Sequence, residues 1–295
     1  MHSLITVIRF LRNFAIIIIF IGMLGFLGDI QWLRYLTSYV FLVVWSIEVI
    51  LTYRLLVQDF LMLISVPYLY IKYLFKLPSI DTYKQENEYS LPFEGEWLII
   101  NGGISKKSSH SWHPVLNQRY AYDFIKVDEY GKSYRYLSKN TTDYYCYSQN
   151  ILAPADGIVV EIRSICSDSK IIGNGKTDNW IKDLRGNYII IKHKGDEYSL
   201  LAHLKKGSIL VEVGQKVRRK DIIAKCGNTG NSSEPHLHFQ VQKGKIFFTS
   251  VGLPIRFINF SARLLETYNK ITNLQVYPDE LRDGFITRGF LVKNM

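Results

Sequence analysis

The sequence predicts an all-β domain of short strands, a compact antiparallel sandwich or barrel, carried behind N-terminal transmembrane helices. Three observations carry this. Composition changes abruptly near residue 76, from long apolar runs with few charges to a mixture rich in charges, glycine and turn residues. From Ser90 to Phe260, short runs of Val, Ile, Tyr and Phe alternate with Gly, Asn, Asp and Pro, the pattern of strands joined by turns. No amphipathic helical stretch of comparable strength interrupts them. At 295 residues the chain has room for one sizeable core and one appendage.

Residues 1–76 read as a membrane anchor of two or three helices. The runs FAIIIIFIGMLGFLG (Phe14 to Gly28), YLTSYVFLVVWSIEVILTY (Tyr35 to Tyr53) and LLVQDFLMLISVPYLYIKYLF (Leu55 to Phe75) are strongly apolar. A spanning helix needs about 20 such residues; the second and third runs reach that length, and the first does so by borrowing residues before Phe14. Arg9, Arg12 and Arg54 place the N-terminus and the short loop after Tyr53 in the cytoplasm, so three crossings leave everything beyond Phe75 outside. Lys72 and Lys76 count against that orientation, and Glu48 and Asp59 require a helix partner or an interfacial position. A cleaved signal peptide fits poorly, because no small-x-small site follows Gly28 and more apolar sequence does.

Residues 77–89 read as a linker. In residues 90–262, EWLII, RYAYDFI, GIVVEIRSI, NYIIIKH, EYSLLAHL, DIIAKCG and HLHFQVQ each predict a strand. Residues 263–295 form a polar C-terminal extension in which SARLLETYNKIT predicts a short helix. The formal net charge of +10 favours an anionic environment, lipid or cell-wall polymer. Nucleic acid is not expected, since no recognition helix, aromatic RNA-binding strand pair or zinc-finger spacing is present. Cys146, Cys166 and Cys226 make neither a CxxC site nor a disulfide framework; if one bridge forms in an oxidising compartment, Cys166 with Cys226 is expected, both lying beside predicted strands.

Chemistry concentrates in a few segments. Strand side chains alternate faces, so HLHFQ puts His236, His238 and Gln240 on one side and Leu237 and Phe239 on the other. Two imidazoles then aim at one point. RYAYDFI sets Asp123 between apolar Ala121 and Ile125, where an unpaired carboxylate is not tolerated and a metal would satisfy it. YSLLAHLKKGS ends a strand with His203 before a polar turn. Zinc accepts His nitrogen and Asp oxygen, and a catalytic zinc takes three protein ligands and leaves a position for water.

APADGIVVEI, GNYIIIKH, YSLLAHL, VGQKV and CGNTGNSSEPHLHFQV, in that order, resemble the lysostaphin/LytM-type zinc metalloendopeptidases, peptidase family M23, over Trp97 to Val251. The resemblance implies an antiparallel β core of the duplicated hybrid motif type, a zinc ion in an open groove, and hydrolysis of peptide bonds in bacterial peptidoglycan, in cross-bridge or stem peptide. It implies that Asp123 and His238 are metal ligands and that His203 and His236 are catalytic. The family's usual first ligand, a histidine four residues before the aspartate, is here Arg119, whose guanidinium stays protonated and binds no zinc. His110 or His113 supplies the missing nitrogen from the loop upstream. His110 is favoured: SH followed by YAxDF resembles a variant arrangement within the family, and His113 is constrained by Pro114. The implied protein sits in the bacterial cell membrane, multi-pass, with its C-terminal domain outside. Arg119 also motivates an alternative, a catalytically inactive scaffold or peptidoglycan-binding module of the same fold. His193 reads as a turn-flanking residue.

Overall fold

The computed structural model describes residues 30–112, 115–136, 140–170, 175–177 and 181–295. The chain forms two units, residues 1–56 and Val57–Met295. In the first unit the described residues from Gln31 onward are helical, and Trp32, Tyr35, Tyr39, Trp45 and Ile50 are exposed.

This helix, α1 (Gln31–Lys72), runs unbroken through Arg54, where the sequence predicts a short loop between two apolar runs. No glycine or proline occurs between Gln31 and Val66, and arginine is a good helix former, so nothing stops the helix at Arg54. Among the described residues one stretch, Thr52–Lys72, with a mean hydropathy of 1.4 over its most apolar window, is long and apolar enough to cross a membrane. The Phe14 to Gly28 run lies outside the described residues.

The second unit is built on an antiparallel sheet. Its strands are β1 (Trp97–Asn101), β2 (Tyr122–Ile125), β4 (Gly157–Arg163), β5 (Tyr188–Lys192), β6 (Glu197–Ala202), β7 (Lys216–Val217), β9 (Leu237–Lys243), β10 (Val251–Leu253), β11 (Phe260–Leu264) and β12 (Phe290–Asn294). They run in the order β11-β12-β1-β2-β9-β6-β5-β4-β7, with β10 added on β9; β3 (Asn150–Leu152) and β8 (Ile222–Lys225) make a separate ribbon. All seven segments predicted as strands are strands.

Both faces of the sheet's centre are buried, which explains the continuous apolar run of β5. Ile189 and Ile191 face the main core with Phe124, Leu237, Phe239 and Val241, closed by Ile151 and Ile223 of the ribbon. Tyr188 and Ile190 face the other way, with Leu200, Ala202 and Phe247, and Met62 of α1 packs there. From Val57 onward α1 presents Gln58, Met62, Ser65 and Leu69 on one stripe. Gln58 accepts a hydrogen bond from Leu184 N at 2.9 Å, and Leu69 is fully buried with Leu116 and Val251.

The C-terminal extension departs most from expectation. SARLLETYNKIT divides into the end of β11 and a single helical turn, α2 (Tyr268–Thr272). Strand β12 lies between β11 and β1, so the last residues of the chain are part of the main sheet. The cysteines differ too: Cys226 contacts Cys146 in the core, while Cys166 lies elsewhere and its amide donates to Asn187 Oδ1. The cause is long-range, since β8 pairs with β3 and brings Cys226 beside the segment that precedes β3.

Residues 83–89 are tied down by one buried carboxylate. Glu197 accepts hydrogen bonds from the hydroxyls of Tyr83 and Tyr89, the amide of Glu86 and Asn87 Nδ2. A buried carboxylate is tolerated only when its lone pairs are met, and here four donors meet them. Tyr89→Phe removes one donor from an otherwise unchanged core. Its expected effect is a loss of about 2 kcal/mol, typical of a hydrogen bond to a charged group, read as a lower denaturant midpoint at unchanged slope.

Candidate active site

The site starts with strand register. β2 pairs with β9 so that Asp123 stands directly across from His238, and β6 pairs with β9 so that Ala202 stands across from His238 on its other side. Cross-strand partners share a face, so Asp123 and His238 point the same way and His203 follows immediately after Ala202. The expected alternation in HLHFQ holds: Leu237 and Phe239 enter the main core, while His238 and Gln240 lie on the opposite face.

Asp123 Oδ1 lies 2.9 Å from His238 Nδ1, and Asp123 Oδ2 lies 2.9 Å from His110 Nε2. Donor atoms of His110, Asp123 and His238 all fall within 4.8 Å of one another, a cluster able to hold a metal ion. His113 lies outside the described residues. Arg119 is turned away from the cluster's chemistry, its guanidinium carbon 4.6 Å over the Trp112 ring. Two imidazole nitrogens and a carboxylate oxygen are the donor set of a three-ligand catalytic zinc. Among the described residues the buried Nδ1 of His110 has no hydrogen-bond partner, while its Nε2 faces Asp123 Oδ2.

His203 and His236 stand beside this cluster. Their ring centroids are 4.5 Å apart, and His203 is 5.9 Å from His238. His203 Nδ1 is 2.7 Å from Thr229 O and His236 Nδ1 is 2.9 Å from Glu234 O. A carbonyl only accepts, so each Nδ1 carries the proton and each Nε2 keeps its lone pair. His203 adopts a left-handed backbone, φ 62°, unusual for a residue with a Cβ and held by its amide bond to Arg185 O at 3.0 Å.

The electrostatics suit these states. Burial and the neighbouring imidazoles push His203 well below the ordinary histidine range, and burial does the same less strongly at His236. Burial opposes charge on Asp123, yet the His110 charge and the His110 and His238 hydrogen bonds outweigh it and hold the carboxyl well below its usual value. Burial also opposes charge on His110, and there Asp123 prevails and raises it.

The cluster lines an open cavity of about 390 Å³ bordered by Asp59 of α1, Val115, Gln118, Arg185, Asn231 and Ser233. His193 is remote from it, with Nδ1 donating to Asp156 O and Nε2 accepting from Ser199 Oγ, both at 2.8 Å. Sequence reasoning places Gln240 on the correct face without assigning it a task. In the structure His238 Nε2 donates to Gln240 Oε1 at 3.0 Å, Gln240 Nε2 donates to Gln242 Oε1 at 2.8 Å, and Gln242 Nε2 donates to Gly244 O at 3.0 Å. This amide chain fixes the ring of His238 so that Nδ1 faces Asp123 Oδ1 on the cluster side. Thr229 is a second unassigned residue, and its carbonyl is set by close packing: a Cβ on Gly186, φ +65°, would come within 2.3 Å of it.

Residues 138–249 match the sequence model of peptidase family M23. That segment is similar to the family, and the match spans less than half of the chain. The match includes His203, His236 and His238 and begins after His110 and Asp123, so the placement of those two beside this M23 segment comes from the geometry above. An uncharacterised metalloprotease of Buchnera aphidicola is 40% identical over 84 residues, 28% of this chain and 22% of that protein. The peptidoglycan DD-endopeptidase ShyA of Vibrio cholerae is 45% identical over 56 residues, 19% of this chain and 13% of that one. The aligned stretches are thus less than a quarter of those relatives' lengths. The catalytic domain of lysostaphin from Staphylococcus simulans aligns with 58% of this chain and 90% of its own at 19% identity and a TM-score of 0.30.

Gln240→Ala leaves His238 Nε2 without its acceptor in a buried site. The expected result is a metal affinity lower by about 10–100-fold, the usual range for losing such a support, measured by chelator competition on the purified full chain.

Proposed function

We propose that this chain is a membrane-anchored zinc metalloendopeptidase that hydrolyses peptide bonds in bacterial peptidoglycan, in cross-bridge or stem peptide. The observation that carries the reading is the convergence of five side chains at one groove: His110, Asp123 and His238 as a metal-holding set, with His203 and His236 beside them as neutral bases. The relative named as a peptidoglycan DD-endopeptidase supports the substrate class. The apolar character of residues 1–76 supports anchoring at the bacterial cell membrane, with the β domain on its outer side.

In this reading His110 Nε2, Asp123 and His238 Nδ1 hold zinc, which supplies Lewis acidity toward water and the peptide carbonyl. The remaining work falls to His203 and His236. Each has its proton fixed on Nδ1 by a backbone carbonyl, so Nε2 can accept a proton from the attacking water as general base. The imidazolium so formed is a donor, able to stabilise the oxyanion or pass the proton to the departing amine. Two imidazoles side by side place either Nε2 within the groove to take that single proton and return it to the departing amine. Burial keeps both neutral in the resting state, the form a base requires.

The alternative of a metal-free binding module draws on Arg119. Its stacking on Trp112, with His110 standing against Asp123 in its stead, favours the enzyme.

The test is zinc content and digestion of isolated peptidoglycan by the purified full chain. Wild type is expected to carry one zinc and to release new amino termini from the peptide moiety. His238→Ala is expected to lose both metal and activity. His203→Asn, chosen because asparagine tolerates the left-handed backbone at this position, is expected to keep zinc and fold while losing roughly 10²-fold or more in rate. Equal zinc loss in both variants, or a wild type without zinc, excludes this division of roles.

A further inference from the structure

We infer that Glu280 and Arg288, in the C-terminal extension, are positioning residues for His110, and that the extension is therefore part of the metal-binding machinery. This rests on the reading of His110 as a ligand. Asp123 and His238 sit on paired strands and are held by a ladder, whereas His110 sits on a loop between β1 and β2. A ligand on a free loop must be ordered when metal binds, and the conformational entropy lost in that ordering weakens affinity. The loop must be held beforehand.

Glu280 and Arg288 do the holding. The Oε2 atom of Glu280 accepts three hydrogen bonds: from Ser108 Oγ, from the amide of Ile104 at 3.1 Å and from Thr287 Oγ1 at 3.2 Å. Two of those donors belong to the loop, one of them two residues from His110. Arg288 Nη2 donates to Lys107 O at 2.9 Å, its Nε donates to Gln275 O at 2.9 Å, and its amide donates to Gly102 O at 2.9 Å. The loop and the carboxylate are packed in contact, since a Cβ on Gly103 would lie 2.3 Å from Ser108 Oγ and 2.7 Å from Glu280 Oε2. The same C-terminal stretch also grips β2: Tyr122, beside Asp123, donates its hydroxyl proton to Ile286 O at 3.1 Å.

One segment, residues 280–288, thus bridges the loop carrying His110 and the strand carrying Asp123. On the far side of His110, Ser109 Oγ donates to Arg119 O and Trp112 stacks on the Arg119 guanidinium. Arg119, four residues before Asp123, thus supports the loop that carries His110.

The experiment uses the full chain, stripped of metal and titrated with zinc against a chromophoric chelator, with cobalt(II) spectra and apo-protein melting temperatures recorded in parallel. Glu280→Ala is expected to weaken zinc binding by about 10–100-fold and to shift the cobalt bands. Glu280→Gln, whose amide oxygen can still accept the three contacts, is expected to restore most of the affinity. Should Glu280→Ala fail to fold, Ser108→Ala tests the same contact and is expected to give a smaller loss of affinity in the same direction. A lowered melting temperature with wild-type affinity and cobalt spectrum would show that Glu280 is only structural and overturn the inference. A folded wild type that binds no zinc overturns the metal reading itself, and this inference with it.

Discussion

The site depends on the register between β2 and β9. Strand side chains have a period of two, so a slip of one residue would send Asp123 into the apolar core and bring Phe124 to the groove. The core prevents it: Tyr122 and Phe124 on β2 and Leu237, Phe239 and Val241 on β9 all fill the main cluster, and any slip would expose them together. The same lock acts on the other side of β9, where the pairing of Ala202 with His238 determines where β6 ends and so where His203 stands. Apolar packing on one face of the sheet sets the geometry of polar chemistry on the other.

That polar face must then be satisfied without water. His238, Gln240 and Gln242 are almost wholly buried, and each would be costly alone. Their hydrogen bonds run in one direction, imidazole to amide to amide to the carbonyl of Gly244, so every buried donor in the row meets an acceptor. The row also orients the ring, since His238 has its Nε2 proton taken by Gln240 and only Nδ1 left to face Asp123. Asp123 in turn is a buried carboxylate surrounded by imidazoles, an arrangement that stays charged because its partners are within hydrogen-bonding reach.

How much of this is legible in the sequence follows from the range of each interaction. Strand alternation is local, so the face shared by His236, His238 and Gln240 and the seven strand segments are readable from short stretches. Asp123 is readable because a lone carboxylate in an apolar strand needs a partner. Helix boundaries were expected at Arg54 from charge, yet helix propensity is also local and runs straight through it. The Glu197 clamp on residues 83–89, the contact of Cys146 with Cys226 and the place of β12 in the sheet join residues far apart in the chain. No local pattern marks them. The tail beyond Arg263 looks featureless because its role lies in what it touches.

The proposed metal site shows why that distance matters. A histidine four residues before Asp123 would be placed by the strand's own approach and would need no remote support. With Arg119 there, the third donor of the proposed metal site is His110, thirteen residues before Asp123 and outside the ladder. Its placement then has to be supplied by tertiary contacts: Arg119 and Trp112 on one side, Glu280 and Arg288 on the other. Each contact is of a kind that stabilises by about 1–3 kcal/mol, small against the whole fold but comparable with the free energy that separates a tight metal site from a weak one. A ligand placed on a loop, as proposed for His110, therefore makes the affinity of the site depend on residues at the opposite end of the domain's sequence, in the segment 280–288 that leads into β12.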